Sequence, residues 1–268
     1  QLLRELVRPL VDDVIKSGDA EQWFFIRYGD PFWHIRLRFR GSPERLHGRL
    51  LPTFNAAVET FVSAGKVWRV QLDTYEREVE RYGGAEGILR AERIFHADSE
   101  AVLSVVGGSA GNEGLEARRL IALRGIDRLL DDFGLDLALK LRVAESLCDE
   151  FGGRLSADRS FNRRLGTAYR NRRGTIEGVL DGASDARPEF AREFAALERR
   201  SRQTSSAIAE LKNLAGAGRL SVPLRRLVSG LVHMHANRIL RPAQRNEESL
   251  LYHLLARFYR SRAARGRT

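Results

Sequence analysis

The order of apolar and polar residues along the chain changes period several times, and each change marks an element. From Leu2 to Lys16, apolar side chains recur at Leu3, Leu6, Val7, Leu10, Val11 and Val14, the spacing of one face of a helix. Ser17-Gly18-Asp19 breaks that rhythm. WFFIRY, Trp23 to Tyr28, is dense in aromatic and β-branched residues, Gly29-Asp30-Pro31 signals a turn, and WHIRLRFR, Trp33 to Arg40, alternates strictly. These two segments read as a β-hairpin. Helical spacing returns between Pro43 and Ala64 at Leu46, Leu50, Phe54, Val58, Phe61 and Val62. VWRVQLDTY, Val67 to Tyr75, sets Trp68, Val70 and Leu72 against Arg69, Gln71 and Asp73, which predicts a third strand. Gly83-Gly84 closes the stretch after it, and a helix is expected from about Glu86 to Val106.

Beyond the loop signal VGGSAGNEG, Val106 to Gly114, no strand pattern recurs. Helices are expected near 115–133, 136–151, 157–180, 187–215, 222–240 and 244–262, broken at Gly134, Gly152-Gly153, Asp181-Gly182, Gly216/Gly218 and Pro242. The expected class is α+β: a small antiparallel sheet with flanking helices, then an all-helical half. Residues 1–106 form the sheet-containing region and 107–268 the helical one, packed together as one functional domain.

Alternation on the second strand gives two unlike faces. Trp33, Ile35, Leu37 and Phe39 share one and belong against a core; His34, Arg36, Arg38 and Arg40 share the other. Three guanidinium groups side by side repel one another unless acidic neighbours or an anionic ligand lie there. Composition keeps both readings open. The formal net charge of +10 is carried almost wholly by arginine, which suits nucleic acid, acidic peptide or a carboxylate-bearing substrate. Zinc-finger spacing and an aromatic RNA-binding strand are both missing from the sequence. The single Cys148 excludes an internal disulfide framework and a multi-cysteine metal site. No apolar run approaches the roughly 20 residues of a membrane span and no secretory signal opens the chain, so a cytoplasmic location is expected.

None of the six histidines forms an HExxH or carboxylate-flanked pair, no glycine-rich phosphate loop follows a strand, and no GxSxG elbow is present. In VSGLVHMHANRIL, the stripe of Leu224, Leu227, Val228, Leu231 and Met234 includes His235, which therefore reads as a core histidine. His233 lies opposite and shares its face with Asn237 at i+4. That pair suits proton transfer, with the Asn holding the ring tautomer, and equally suits a solvated helix face. DTYEREVERYGG, Asp73 to Gly84, places Tyr75, Arg77, Arg81 and Tyr82 directly after a strand, where a scaffold commonly holds site residues. Its plainer reading is an exposed charged turn.

WFFIRYGDPFWHIRLRFRG, DTYEREVERYGG, RIFHADSE, GIDRLLDDFGL and HMHANR occur in an order that resembles the C-terminal domain of class I lanthipeptide dehydratases, also found as a small stand-alone protein in thiopeptide pathways. The resemblance runs from Leu2 to about Arg265. It departs at Trp33, where a proline is common, and in the aromatic strand that commonly precedes the first helix. It implies glutamate elimination: a glutamyl-tRNA-dependent companion protein or domain esterifies Ser or Thr of a precursor peptide (leader plus core), and this domain expels the glutamate to leave dehydroalanine or dehydrobutyrine. It further implies that Arg36, Arg38, Arg77 and His233 are catalytic, with His233 as general acid/base. Arg27, Tyr28, His34, Tyr82, Asn237 and Arg238 would bind or orient substrate. No metal or organic cofactor is implied, and a homodimer stays open as an assembly. Two alternatives stand beside it: a pyridine-forming [4+2] cycloaddition on the same fold, and a non-catalytic peptide- or tRNA-binding module.

Overall fold

The alternating segments pair as a hairpin. In the computed structural model, which describes residues 1–106, 111–157, 159–181, 188–240 and 245–266, β1 (Gln22–Tyr28) and β2 (His34–Arg40) run antiparallel. Phe24 lies opposite Arg38, Ile26 opposite Arg36 and Tyr28 opposite His34. Opposed residues share a face, so the cationic row lies beside these three side chains. On the other face Trp23 and Phe25 are fully buried, and Ile35, Leu37 and Phe39 pack half-buried against the core. Trp33 departs from the expectation of a core-facing side chain, being 54% exposed. Its ring folds over the turn instead, where a Cβ on Gly29 would lie 2.4 Å from it, so only a glycine leaves that space.

The third strand does not form: the sheet has two strands among the described residues. Residues 67–78 carry no regular structure, and Trp68, Val70 and Leu72 are exposed. Side chains have taken the place of a neighbouring strand along the free edge of β1. Those of α4 (Gly84–Val106) and α9 (Leu224–Ile239) meet its backbone groups. His96 Nδ1 lies 2.9 Å from the Trp23 carbonyl and Ser99 Oγ accepts from the Phe25 N–H at 3.3 Å. Arg238 Nε donates to the Phe25 carbonyl at 2.9 Å, and Asn237 bonds both the N–H and the C=O of Arg27 at 2.9 Å. That edge therefore has no backbone groups left for another strand.

Both early helices begin irregularly for one reason. A π turn over Leu3–Val7 leads into α1 (Arg8–Lys16). A short α2 (Pro43–Arg45) and a second π turn over Leu46–Leu50 lead into α3 (Leu51–Ser63). Pro9 and Pro52 stand at the heads of α1 and α3 and donate no backbone hydrogen bond, and the ladder slips by one residue just before each. The Arg8 N–H accordingly reaches the Leu3 carbonyl and the Leu51 N–H that of Leu46.

The helical half consists of α5 (Gly111–Asp132), α6 (Leu137–Ala157), α7 (Arg159–Leu180), α8 (Ala191–Gly216), α9 and α10 (Arg245–Arg265). α6 runs through the break expected at Gly152-Gly153. Of the expected 106–114 loop, residues 111–114 already belong to α5, while 107–110 and the breaks at Gly182 and Pro242 lie outside the described residues. A single hydrophobic cluster joins Leu3 of the first helical turn to Tyr259 of α10.

Inside this cluster lies a polar knot. Asp98 of α4 accepts from His235 Nδ1 at 2.7 Å, Arg200 Nη1 at 2.9 Å and Arg238 Nη1 at 3.1 Å. Burial alone would push the Asp98 carboxyl up, but His235 and the two guanidinium groups outweigh it and hold it well below the usual carboxylate range. Burial depresses His235, against the pull of Asp98. The ring is 0% exposed and packs on α5, where a Cβ on Gly125 would lie 2.3 Å from His235 Nε2. Gly125→Ala is therefore expected to cost about 1–3 kcal/mol or more, because neither backbone nor ring has room to move. A urea titration measures it; an unchanged midpoint would mean that the ring repacks freely.

Candidate active site

The arginine row of β2 is only partly neutralised by its own protein. Arg40, nearest the strand end, has Glu21 at 3.9 Å. Among the described residues Arg36 and Arg38 form no ion pair within 4 Å and lie on aromatic rings instead. The Arg36 guanidinium is 3.7 Å from the Tyr28 ring centroid and that of Arg38 is 4.9 Å from Tyr75. His34 stacks on the same Tyr28 ring at 5.3 Å, donates from Nδ1 towards the Phe32 carbonyl at 2.8 Å and accepts from Arg36 Nε at 3.0 Å. An imidazole that accepts at Nε2 carries its proton on Nδ1. Burial lowers the Arg38 guanidinium, opposed by Tyr28 and helped by Arg36. It remains a cation at any working pH.

The segment after residue 72 closes over this row. Tyr75 meets Phe24 edge-on at 5.7 Å and reaches the carboxylate of Glu92, a residue of α4 only 4% exposed. Burial, then the neighbouring Glu92, drives the Tyr75 phenol far above its ordinary value. Arg77 Nε donates to Glu92 Oε1 at 2.9 Å, and its guanidinium stays 42% exposed with no other bond among the described residues. Glu92 thus fixes the aim of Arg77 while leaving its terminal nitrogens open to a ligand.

Tyr82, 2% exposed, links this segment to α9 from within the core. It meets Phe95 edge-on at 5.0 Å and lies 3.3 Å from where a Cβ of Gly230 would stand; burial pushes its phenol up. Gly230, His233 and Asn237 fall within about 60° of one another on a helix turning 100° per residue. Gly230 meets the Arg81–Tyr82 segment, Asn237 holds β1 at Arg27, and His233 lies on the same stripe between them. His233 is not bonded to Asn237, contrary to expectation, because both ends of the Asn237 amide are taken by Arg27. Its Nδ1 lies 2.5 Å from Glu248 Oε1, and its ring stacks on Phe151 of α6 at 4.7 Å.

The site residues expected from sequence therefore divide. Tyr28, His34, Arg36, Arg38 and Arg77 form one contact chain with Tyr75 and Glu92. Tyr82 lies in the core, 2% exposed, and His233 on α9 makes its contacts among the described residues with Phe151 and Glu248. Arg238 lies elsewhere, 1% exposed in the Asp98 knot, and Arg27 is on the opposite face of β1, its Nε donating to the Arg238 carbonyl at 2.8 Å. Neither sequence reading singled out Glu92 or Glu248. Each carried a signal: a carboxylate on an otherwise apolar helical stripe, Glu92 with Ile88 and Phe95, Glu248 with Leu251, Tyr252 and Leu255. Cys148 offers no thiolate, since burial pushes its thiol up to about 12. Among the described residues no group of three or more His, Cys, Asp or Glu is placed to hold a metal ion, and no helix is long and apolar enough to cross a membrane.

The chain belongs to the lantibiotic biosynthesis dehydratase C-terminal domain family, which it matches across residues 1–259. It is 32% identical over 138 residues to the subtilin biosynthesis protein SpaB of Bacillus subtilis, an alignment covering 51% of this chain and 13% of SpaB. All of the chain superposes on 27% of the tRNA-dependent lantibiotic dehydratase MibB of Microbispora sp. 107891, with a TM-score of 0.76 and 26% identity. It also shares the fold of the pyridine synthase TbtD from thiomuracin biosynthesis at a TM-score of 0.65 and 18% identity, over 96% of this chain and 92% of TbtD. The chain thus spans a small part of the dehydratases that it matches and nearly the whole length of the synthase.

Proposed function

We propose that this chain is a lyase that removes glutamate from O-glutamylated Ser or Thr of a ribosomally made precursor peptide. A base takes the α-proton, its electron pair forms the Cα–Cβ double bond, and the Cβ–O bond breaks to release glutamate as a carboxylate. The product is dehydroalanine or dehydrobutyrine. One observation carries this reading: Arg36 and Arg38 are fixed on aromatic rings and form no close ion pair among the described residues. Guanidinium groups held this way suit both a departing carboxylate and the enolate-like charge on the peptide carbonyl. Arg77, aimed by Glu92, adds a third cation beside them. His233 on the neighbouring helix is the base, and the glutamyl ester comes from a companion protein or domain that uses glutamyl-tRNA.

The end-to-end match to TbtD favours a second reading, joining two dehydroalanines into a pyridine ring. Mass spectrometry separates the two. A peptide carrying O-glutamyl serine, incubated with the chain, is expected to lose glutamic acid and gain a dehydroalanine. An unchanged glutamyl peptide, with conversion of a bis-dehydroalanine peptide, replaces elimination by cycloaddition. Arg36→Lys and Arg38→Lys keep the charge and lose the planar fork, so each is expected to slow elimination by about 10²–10³-fold with an unchanged circular dichroism spectrum. Arg40→Lys, whose guanidinium already faces Glu21, should change the rate by a few fold at most. Equal, mild effects at all three positions would return the row to a solvated strand face.

A further inference from the structure

We infer that Glu248 is the positioning residue of His233, holding the ring with its proton on Nδ1 so that Nε2 faces the site as the base. The inference rests on the elimination reading for its chemistry, and on three helices for its geometry. Glu248 Oε1 lies 2.5 Å from His233 Nδ1, and the Tyr252 hydroxyl, one turn further along α10, donates to that same oxygen. An ionised carboxylate that already accepts from a phenol accepts from the ring too, so Nδ1 is the donor, and in the neutral ring Nε2 keeps its lone pair. Tyr252 is 0% exposed, and burial together with Glu248 holds its phenol protonated. Phe151 of α6 covers the imidazole face at 4.7 Å and 25°, and meets the Tyr252 ring at 5.6 Å and 61°. The ring is thereby held between α6 and α10, and turning it over would keep the Phe151 stack but lose the bond to Glu248.

The chemistry needs this arrangement. When Nε2 takes the α-proton, the imidazole becomes a cation, and a nearly buried carboxylate at Nδ1 stabilises that charge as it develops. Asn237, the sequence-based candidate for this task, is engaged with the backbone of β1 and is not available for it. Glu248 touches neither substrate nor reacting atoms and acts only through His233.

Two measurements on the full chain test the assignment. Nitrogen-15 spectra of the histidine rings, with His233 identified by its loss in His233→Gln, should show Nδ1 protonated and Nε2 bare. In Glu248→Gln the amide can donate to Nδ1, and the Nε2–H form should appear. Elimination by Glu248→Gln should lose about 10²–10⁴-fold in kcat with KM for the glutamyl peptide within about threefold. Glu248→Asp should recover part of the rate. Tyr252→Phe, which keeps the packing and removes one hydrogen bond, should retain the Nδ1–H form with a smaller loss; it also serves if Glu248→Gln does not fold. A wild-type ring protonated on Nε2, or a Glu248→Gln variant with unchanged kcat and tautomer, overturns the assignment. If the wild-type chain eliminates nothing while the tautomer still follows Glu248, the positioning role stands and the elimination reading falls.

Discussion

Asp98→Asn is expected to cost about 3–5 kcal/mol, a large share of the roughly 5–15 kcal/mol by which a domain of this kind is folded. The substitution keeps the shape and removes the one carboxylate that, among the described residues, pairs with the guanidinium groups of Arg200 and Arg238, each 1% exposed. Neither arginine can turn to water, and their remaining bonds, to the carbonyls of Gly125 and Phe25, carry no counter-charge. The effect should also appear in the acid limb of wild-type stability. The folded carboxyl of Asp98 lies below its unfolded value of about 3.9, so its contribution is present above that pH and is lost as pH falls towards the folded value. His235, depressed by burial, remains neutral below about pH 6.5 while the unfolded chain takes up a proton there. Both groups therefore make stability fall with acidity, beginning below about pH 6.5. Urea midpoints at neutral pH and near pH 5 check the sign, and a midpoint that rises on acidification would contradict it.

His233→Ala is expected to abolish elimination while leaving the fold in place. Loss of a general base costs about 10²–10⁴-fold. The ring is a fifth exposed and packs on one face only, so its removal should move the melting temperature little. Glutamylated peptide should accumulate, visible as an intermediate mass. His235→Ala gives the opposite pattern, since it deletes a buried ring bonded to Asp98 and should cost about 1–3 kcal/mol or more. Activity lost at His235 with His233 dispensable would exchange the roles of the two faces of α9.

Periodicity was enough for the helices and for the hairpin, because amphipathic spacing reflects the burial that forms them. It also separated His233 from His235, since only the latter falls on the apolar stripe. Where it failed, long-range partners decided. Val67 to Tyr75 has the alternation of a strand, yet the free edge of β1 was already occupied by Ser99, Asn237 and Arg238, which no local pattern reveals. Gly152-Gly153 reads as a break, but two glycines cost only about 1 kcal/mol each in a helix that packs well on its neighbours. Arg238 looks like a ligand for substrate in sequence, and only the meeting of α4, α8 and α9 at Asp98 shows it to be internal. Glu92 and Glu248 escaped for a related reason: their partners lie 15 residues away at Arg77 and at His233, across turns that a sequence does not display.

The unpaired segment after α3 has an optical consequence. Of the three tryptophans, Trp23 is fully buried, whereas Trp33 and Trp68 are 54% and 68% exposed. Phe32 stands between these two, edge-on to Trp68 at 5.5 Å. Native fluorescence is therefore a sum of one shielded emitter and two wet ones, and iodide should quench only the second kind. Any molecule that settles over the hairpin tip and the 68–72 segment excludes water from both exposed indoles together, shifting emission to shorter wavelength and protecting it from iodide. The chain carries its own dye at that surface, and a titration read by intrinsic emission needs no label.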